Sequence, residues 1–325
     1  MSIRGGARIA AAVAIAVVLS LLILRQVSTA HVARQIAGAP PGLLLAAGGG
    51  ALGFNLARAL RYRILLGPVA TPRGPLMFAV STTAWGVSLV LPGVVGDGFL
   101  IWLLGRVAPV SVTRGGAAVL LSRAADVSGF VLVVLLVGPL VGVALPARAA
   151  AAILGLGAVV SILALTLLWR RPREQLLKLA ARVPWIGRSA SAVDVDLTTM
   201  TGRPQIVGML AATALARLCS AVEYTALFAA VGAGLGPLQV LFAVSARTLL
   251  FAIPIQGVAG LGTTQLWWTA SLVLLGWKAI DALSVSLAVH VLDLAVSVPV
   301  VLLGVATLAW HSRGQTEGPM GWQPW

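Results

Sequence analysis

The chain has 325 residues, of which 59% are hydrophobic and 10% are charged, and its formal net charge is +14 at pH 7. Soluble domains carry about 25% charged residues, so this composition excludes an ordinary soluble protein. It predicts an all-α polytopic membrane protein with a single transmembrane domain over residues 1–325. The basic residues do not cluster with aromatic residues, so we expect no nucleic-acid partner. The single cysteine excludes an intrachain disulfide, and the three histidines lack metal-ligand spacing, so we expect no metal ion and no cofactor.

Six apolar runs are long enough to cross a bilayer as helices of about 20 residues. They lie at about 8–27, 42–60, 116–146, 149–169, 206–231 and 279–310. Arg4 and Arg8 precede the first run, so a signal peptide cleaved near Ala30 is an alternative interpretation of that run. We favour a retained first helix, because every later segment is apolar as well.

Two further runs, 76–105 and 238–276, are interrupted by proline and glycine at 92–98 and 254–262. Each half is short for a membrane span. If each interrupted run enters and leaves on the same side, most of the 23 basic residues face the cytoplasm, as the positive-inside rule requires. We therefore predict six transmembrane helices plus two broken re-entrant hairpins, with both termini and the loop 170–205 cytoplasmic. Two short full spans in each interrupted run would give the same orientation.

An internal repeat relates residues of about 8–146 to residues of about 149–310. The two copies share short sequences in the same order: LAR at 56–58 and 215–217, FAVS at 78–81 and 242–245, and the spacing Arg123-x-x-Asp126 and His290-x-x-Asp293. Each copy holds an odd number of spans, so we predict that the second copy is inverted. Inverted repeats with broken helices at matching positions are typical of transporters and place the substrate near the breaks. We therefore expect Gly96 and Gly262 to face one cavity near mid-membrane.

Three segments carry a resemblance to a known family, the flippase-like family defined by the membrane domain of lysylphosphatidylglycerol synthetase. LPGVVGD at 91–97 resembles its LPGxxGE hairpin, LSRAAD at 121–126 its ERxxD helix, and 254–262 its P…GGLGxxE hairpin. The similarity extends over nearly the whole chain. It implies a multi-pass protein of the bacterial inner membrane. It also implies substrate-binding roles for residues of the three motifs: Pro92, Gly96, Asp97, Arg123, Asp126, Pro254, Gly260 and Gly262.

The sequence departs from the family pattern at three places. Ser122 and Gln265 stand where the family has acids, and the segment 99–102 is apolar where the family has an arginine. A lysyl headgroup would need anionic partners, and one of them is replaced here. The given sequence also shows no aminoacyl-transferring segment after the membrane domain. We therefore expect a stand-alone relative that acts on another lipid.

Polar residues inside the apolar runs are candidates for the substrate site, each with a structural alternative. Asp97 is expected at the tip of a break, where it either binds substrate or caps a helix. Arg123 and Asp126 share a helix face, and they either form a structural pair or contact a lipid phosphate. An arginine at the centre of a membrane helix needs an anionic neighbour, and for Arg123 the candidates are Asp126 and Asp97. His290 and Asp293 have the same spacing, and we favour a structural or cavity-lining role for them.

Further polar and aromatic residues are assigned by position. Arg217 is a candidate for phosphate contact through its planar guanidinium, and Arg247 is the basic residue that topology explains least. Gln265, in the second hairpin, is included in the candidate site. Arg58 is interpreted as an interfacial residue under the positive-inside rule, and the tryptophans at 267–268 as members of an interfacial aromatic belt.

The leading hypothesis for function is a flippase-like protein that translocates or binds an amphipathic envelope lipid: a phospholipid, a hopanoid or a polyprenyl-linked lipid. The sequence has no ATP-binding G-x-x-x-x-G-K-[ST] motif, so movement would be passive or coupled to an ion gradient, and we do not expect an enzyme. One alternative is an integral membrane enzyme that acts on a lipid-phosphate or lipid-sugar carrier. Another is a non-catalytic scaffold. The expected partners are a membrane lipid and envelope lipid biosynthesis enzymes.

Overall fold

The computed structural model describes residues 25–70, 72–91, 93–143, 196–250 and 260–313, and also residues 155, 159, 174–175 and 178. In these ranges the secondary structure is helical, without a β-strand, which confirms the predicted all-α class. The main helices of the described ranges are α1 (Thr29–Ala37), α2 (Pro41–Ala70), α3 (Gly74–Val90), α4 (Gly93–Val107), α5 (Val112–Leu140), α6 (Arg203–Ala230), α7 (Pro237–Leu250), α8 (Thr263–Leu274) and α9 (Ala279–Arg313).

Four of the described helices are long and apolar enough to cross a membrane. They are Pro41–Gly67 in α2, Val112–Leu140 in α5, Arg203–Ala230 in α6 and Ala279–Ser312 in α9. These four coincide with predicted spans. The other two predicted spans, 8–27 and 149–169, lie outside the described residues except for a few positions, and so does most of the loop 170–205.

Helix α2 continues past residue 60, the predicted end of its span, and two of its arginines are buried inside the protein. Arg58 and Arg61 are 6% and 4% exposed, and the guanidinium carbon of each lies 5.9 Å from the ring centre of Tyr62. Charged side chains within membrane helices face the interior of the bundle. Neighbouring parts of the protein therefore cover Arg58, and its interpretation as an interfacial residue stays a prediction.

The first interrupted run forms two short helices, α3 and α4, which pack against each other. The break is narrower than predicted, because helix α4 already begins at Gly93. Leu91 has extended backbone angles (φ −114°, ψ 161°), as expected for a residue that precedes a proline; Pro92 itself lies outside the described residues. Asp97 is consequently inside a helix, so neither the position at the tip of the break nor the helix-capping role is correct.

The second interrupted run forms α7 and α8, which also pack against each other. Residues 251–259, including Pro254, lie outside the described residues. Gly260 and Gly262 have φ angles of 67° and 79°, in the left-handed region that glycine occupies without steric cost. These two glycines therefore allow the turn that leads into α8.

The described helices have the same order of lengths in both halves, since α2–α5 and α6–α9 each run long, short, short, long. Their packing is reciprocal: α3 of the first half contacts α9, and α7 of the second half contacts α5. The corresponding helices α2 and α6 pack directly against each other. This exchange of contacts is the one expected of two repeats related by an approximate twofold axis, while the inversion of the second copy stays a prediction.

Glycine brings α2 and α6 into close contact. A Cβ atom on Gly50 would lie 2.7 Å from the backbone nitrogen of Glu223 and 2.8 Å from the carbonyl oxygen of Cys219. A Cβ atom on Gly53 would lie 2.8 Å from the Cys219 sulfur. Small residues allow membrane helices to approach at backbone distance, so these glycines fix the position of α6 and of its polar side chains.

Candidate functional site

Asp126 of α5 is the centre of a buried ionic cluster between helices that are distant in sequence. Arg61 of α2 donates to both carboxylate oxygens of Asp126, from Nη1 at 2.7 Å and from Nη2 at 3.0 Å. Arg217 of α6 donates from Nη2 to Oδ1 of the same carboxylate. Arg61 Nη1 also donates to the Thr213 hydroxyl at 3.2 Å. One carboxylate therefore holds three transmembrane helices together.

Arg123, one turn before Asp126 on α5, forms its ion pair with Asp97 of α4. The Nε and Nη2 atoms of Arg123 donate to the two Asp97 oxygens, each at 2.9 Å. The alternative in which Arg123 and Asp126 pair along their own helix is wrong, because Asp126 instead faces Arg61 and Arg217. The Arg123 side chain is 49% exposed, so this pair forms the accessible edge of the site. We call Arg61, Asp97, Arg123, Asp126 and Arg217 together the Asp126 cluster.

The Asp126 cluster carries one positive charge in excess, since three arginines face two aspartates. The Nε atoms of Arg61 and Arg217 are buried and have no hydrogen-bond partner within the described ranges. The Arg217 guanidinium also lies over the Phe130 ring, 3.6 Å from its centre. The excess charge therefore favours binding of one anionic group.

An apolar groove of about 650 Å³ lies between α5 and α6, and Arg217 is one of the residues that line it. Its walls are almost entirely aliphatic, and Thr213 is one of the few polar residues beside Arg217. Leu132, Leu210 and Leu218 line the groove and are themselves 56%, 53% and 63% exposed. The groove is therefore open at its side, where a transmembrane helix faces lipid. Its size is that of a small-molecule binding pocket.

A second polar cluster surrounds Asp293 of α9, the repeat counterpart of Asp126. Tyr224 of α6 donates its hydroxyl to Asp293 Oδ2 at 3.0 Å, and Ser297 donates to Oδ1 at 3.2 Å. Arg247 of α7 donates from Nη1 to the Tyr224 oxygen at 3.2 Å. Glu223 lies beside Asp293. We call Glu223, Tyr224, Arg247, Asp293 and Ser297 together the Asp293 cluster.

The Trp268 ring packs against two members of the Asp293 cluster, Arg247 and Tyr224. The Arg247 guanidinium lies 4.9 Å from the centre of its ring, a distance at which a cation is attracted to the aromatic face. Tyr224 and Phe228 pack against the same ring, at centre-to-centre distances of 4.9 and 5.2 Å. Trp268 is completely buried, so its assignment to an interfacial aromatic belt is wrong.

Gln265, His290 and Gly96 are further predicted site residues, and all three are buried. Gln265 is 1% exposed, and its amide oxygen and nitrogen have no hydrogen-bond partner within the described part of the chain. His290 is buried on α9, and a Cβ atom on Gly260 would lie 3.8 Å from its Cε1. Gly96 allows α4 to cross α3 closely, because a Cβ atom there would lie 2.8 Å from the Ala84 carbonyl oxygen. That Gly96 and Gly262 face one cavity stays a prediction.

Four residues of the clusters are missing from the set predicted from sequence: Arg61, Glu223, Tyr224 and Ser297. Arg61 lies in a basic segment, and the positive-inside rule alone accounts for a basic residue there, so its charge did not indicate a site. Its helical spacing from buried Leu65, four residues later, is a signal that could have placed it on the buried face. Glu223 is a lone acid within a predicted span, which by itself indicates a functional position.

These features define a multi-pass helical membrane protein with buried ionic clusters between its helices. The family model described as "Lysylphosphatidylglycerol synthase TM region" matches residues 9–310, and the chain belongs to this family. The match confirms the resemblance found in the sequence motifs. It connects this integral membrane protein to lipid metabolism. No curated protein and no solved structure matches the chain significantly.

Proposed function

We propose that the protein translocates an amphipathic lipid with an anionic headgroup across the bacterial inner membrane. In this proposal the headgroup phosphate binds at the Asp126 cluster, and an acyl chain lies in the groove between α5 and α6. The observation that carries the proposal is the position of Arg217, which belongs to the cluster with excess positive charge and also lines the apolar groove. A lipid has the same two parts, a charged headgroup joined directly to an apolar chain.

The charge of the Asp126 cluster selects among the lipids compatible with the family. One excess positive charge matches the single negative charge of a phosphodiester, and guanidinium groups bind phosphate oxygens through paired hydrogen bonds. A neutral hopanoid would leave the excess charge without a partner. We therefore favour an anionic phospholipid or a polyprenyl-linked phosphate as the substrate.

The same geometry favours transport over catalysis. Both carboxylates of the Asp126 cluster accept paired hydrogen bonds from an arginine, so neither is free to take a proton from a substrate. A general base needs such freedom within hydrogen-bond reach of the reacting group. From the distribution of basic residues we propose that both chain termini are cytoplasmic. We also propose that the site exchanges lipid between the two leaflets of the membrane.

The proposal is tested with purified protein reconstituted into liposomes that contain fluorescent phosphatidylglycerol or, for comparison, zwitterionic fluorescent phosphatidylcholine. Dithionite, which bleaches only the outer leaflet, measures translocation. We expect faster translocation of phosphatidylglycerol, and a strong reduction in Arg217→Gln. Arg203→Gln, which removes an exposed arginine from the first turn of the same helix, is the matched control and should behave as wild type. Equal rates in Arg217→Gln and wild type would contradict the proposal.

A further inference from the structure

The Asp293 cluster has the opposite charge balance from the Asp126 cluster. Two acids, Glu223 and Asp293, are 4% and 7% exposed, and Arg247 is the single basic member. With both acids ionised, the cluster would carry one negative charge in excess inside a membrane protein. A buried charge without compensation is strongly unfavourable, so the site requires one bound positive charge.

The contacts of Asp293 differ in kind from those of Asp126. Two arginines bind Asp126, whereas Asp293 accepts hydrogen bonds from the neutral hydroxyls of Tyr224 and Ser297, at 3.0 and 3.2 Å. Arg247 donates to the Tyr224 oxygen and lies over the Trp268 ring. The charge of Arg247 is thus separated from Asp293 by the tyrosine hydroxyl.

Glu223 is the second feature that points to a ligand. Its carboxyl group is buried beside Asp293, and within the described residues no donor makes a hydrogen bond or an ion pair to it. The close packing at Gly50 holds this part of α6 against α2, which keeps the Glu223 backbone inside the protein. Two adjacent buried carboxyl groups are stabilised when they share one proton.

We propose that Glu223 and Asp293 form a proton-binding site, and that binding and release of this proton are coupled to lipid movement at the Asp126 cluster. The proton adds to a carboxylate oxygen of the pair and leaves from it, and the site alternates between one excess negative charge and neutrality. The coupling part of this inference rests on the proposed function. Helix α6 connects the two sites, because it carries both Glu223 and Arg217 and lines the groove.

A proton fits this site better than a metal ion does. Hard cations such as Ca²⁺ take six to eight oxygen ligands, and the cluster offers two carboxyl groups and two hydroxyls. Within the described part of the chain, no group of three or more His, Cys, Asp or Glu side chains could hold a metal ion. A proton needs only the pair of carboxyl oxygens.

Other titratable or charged groups lie near the pair or one helical turn from it, and their effects must be separated from those of the pair in any pH experiment. They are Cys219 and Tyr224 on α6, Arg247 on α7 and His290 on α9. Among these, His290 titrates nearest to neutral pH in its unperturbed form. It lies one turn before Asp293, so a His290→Gln variant is a necessary control.

The proton site is tested by infrared difference spectroscopy of the purified protein in lipid nanodiscs. We expect the wild type at neutral pH to show the C=O band of a buried protonated carboxylic acid, which shifts in D₂O. Carboxyl ¹³C labelling of glutamate or aspartate assigns the band without any substitution. Glu223→Gln and Asp293→Asn should each remove it, while His290→Gln and Asp97→Asn should retain it. Absence of the band in the wild type, or its persistence in both Glu223→Gln and Asp293→Asn, would overturn the inference.

Coupling is tested in liposomes with fluorescent phosphatidylglycerol and an imposed pH difference across the membrane. We expect the translocation rate to change with the direction of the pH difference in the wild type and to lose this dependence in Glu223→Gln. A wild-type translocation rate that is the same for both directions of the pH difference would overturn the coupling. If the wild type translocates no lipid but shows the carboxylic acid band, the proposed function fails while the proton site stands.

Discussion

Replacing Asp126 by asparagine removes one negative charge from the Asp126 cluster while keeping the shape of the side chain. Arg61 and Arg217 then lose their shared carboxylate, and the excess charge of the cluster rises from one to two. Removing one partner of a buried ion pair costs about 3–5 kcal/mol, and the Asp126 side chain is 14% exposed. We therefore expect Asp126→Asn to lower the free energy of unfolding by about 3–5 kcal/mol.

The matched control for this prediction is Asp97→Asn, which removes the other carboxylate of the cluster. Its partner Arg123 is half exposed, and exposed ion pairs contribute about 0–1 kcal/mol. Stability can be followed by thermal unfolding with a thiol-reactive dye, because Cys219 is the single cysteine and contacts Gly53 in the fold. Equal destabilisation by the two substitutions would refute the assignment of Asp126 as the buried centre that holds α2, α5 and α6 together.

Other predictions address the site, the groove and the topology. Arg123→Lys should keep normal membrane abundance but reduce phosphatidylglycerol translocation about fivefold, equivalent to about 1 kcal/mol for one lost hydrogen bond; full activity would exclude a role for its guanidinium fork. Gly129 lines the groove, and a Cβ atom there would meet nothing within 4 Å. Gly129→Phe should therefore block translocation without loss of stability. Gly50→Leu, by contrast, should prevent close packing of α2 and α6 and lower membrane abundance. In a variant without Cys219, a cysteine at Arg203 should be labelled from the cytoplasmic side and one at Lys278 from the opposite side; reversed labelling would contradict the orientation.

The sequence was sufficient for the elements that depend on local hydropathy and backbone chemistry. Apolar runs of span length coincide with α2, α5, α6 and α9, and proline with glycine marks both interruptions. The width of the first break was misjudged, because Gly93 and Gly96 tolerate a helix although each lowers its stability. Helix propensity is a weak constraint when tertiary packing, here of α4 against α3, supports the helix.

The ionic clusters could be predicted only in part, because they depend on contacts between distant residues. Arg61 and Arg217 lie 65 and 91 positions from Asp126, and no local pattern indicates that they share one carboxylate. The pairing of Arg123 with Asp97 was one of two possibilities predicted from the sequence, since an arginine within a membrane helix requires an anionic neighbour. Arg58 and Trp268 were assigned to the membrane interface because residue type alone does not distinguish that position from a buried one.

The central claim is that the excess positive charge of the Asp126 cluster binds a lipid phosphate. The most direct measurement is an experimental structure of the protein in nanodiscs that contain phosphatidylglycerol. We predict density for a phosphate at hydrogen-bonding distance, about 3 Å, from Arg217, with an acyl chain along the groove past Gly129. A groove filled by another segment of the protein, or a lipid whose headgroup lies away from Arg217, would contradict the account.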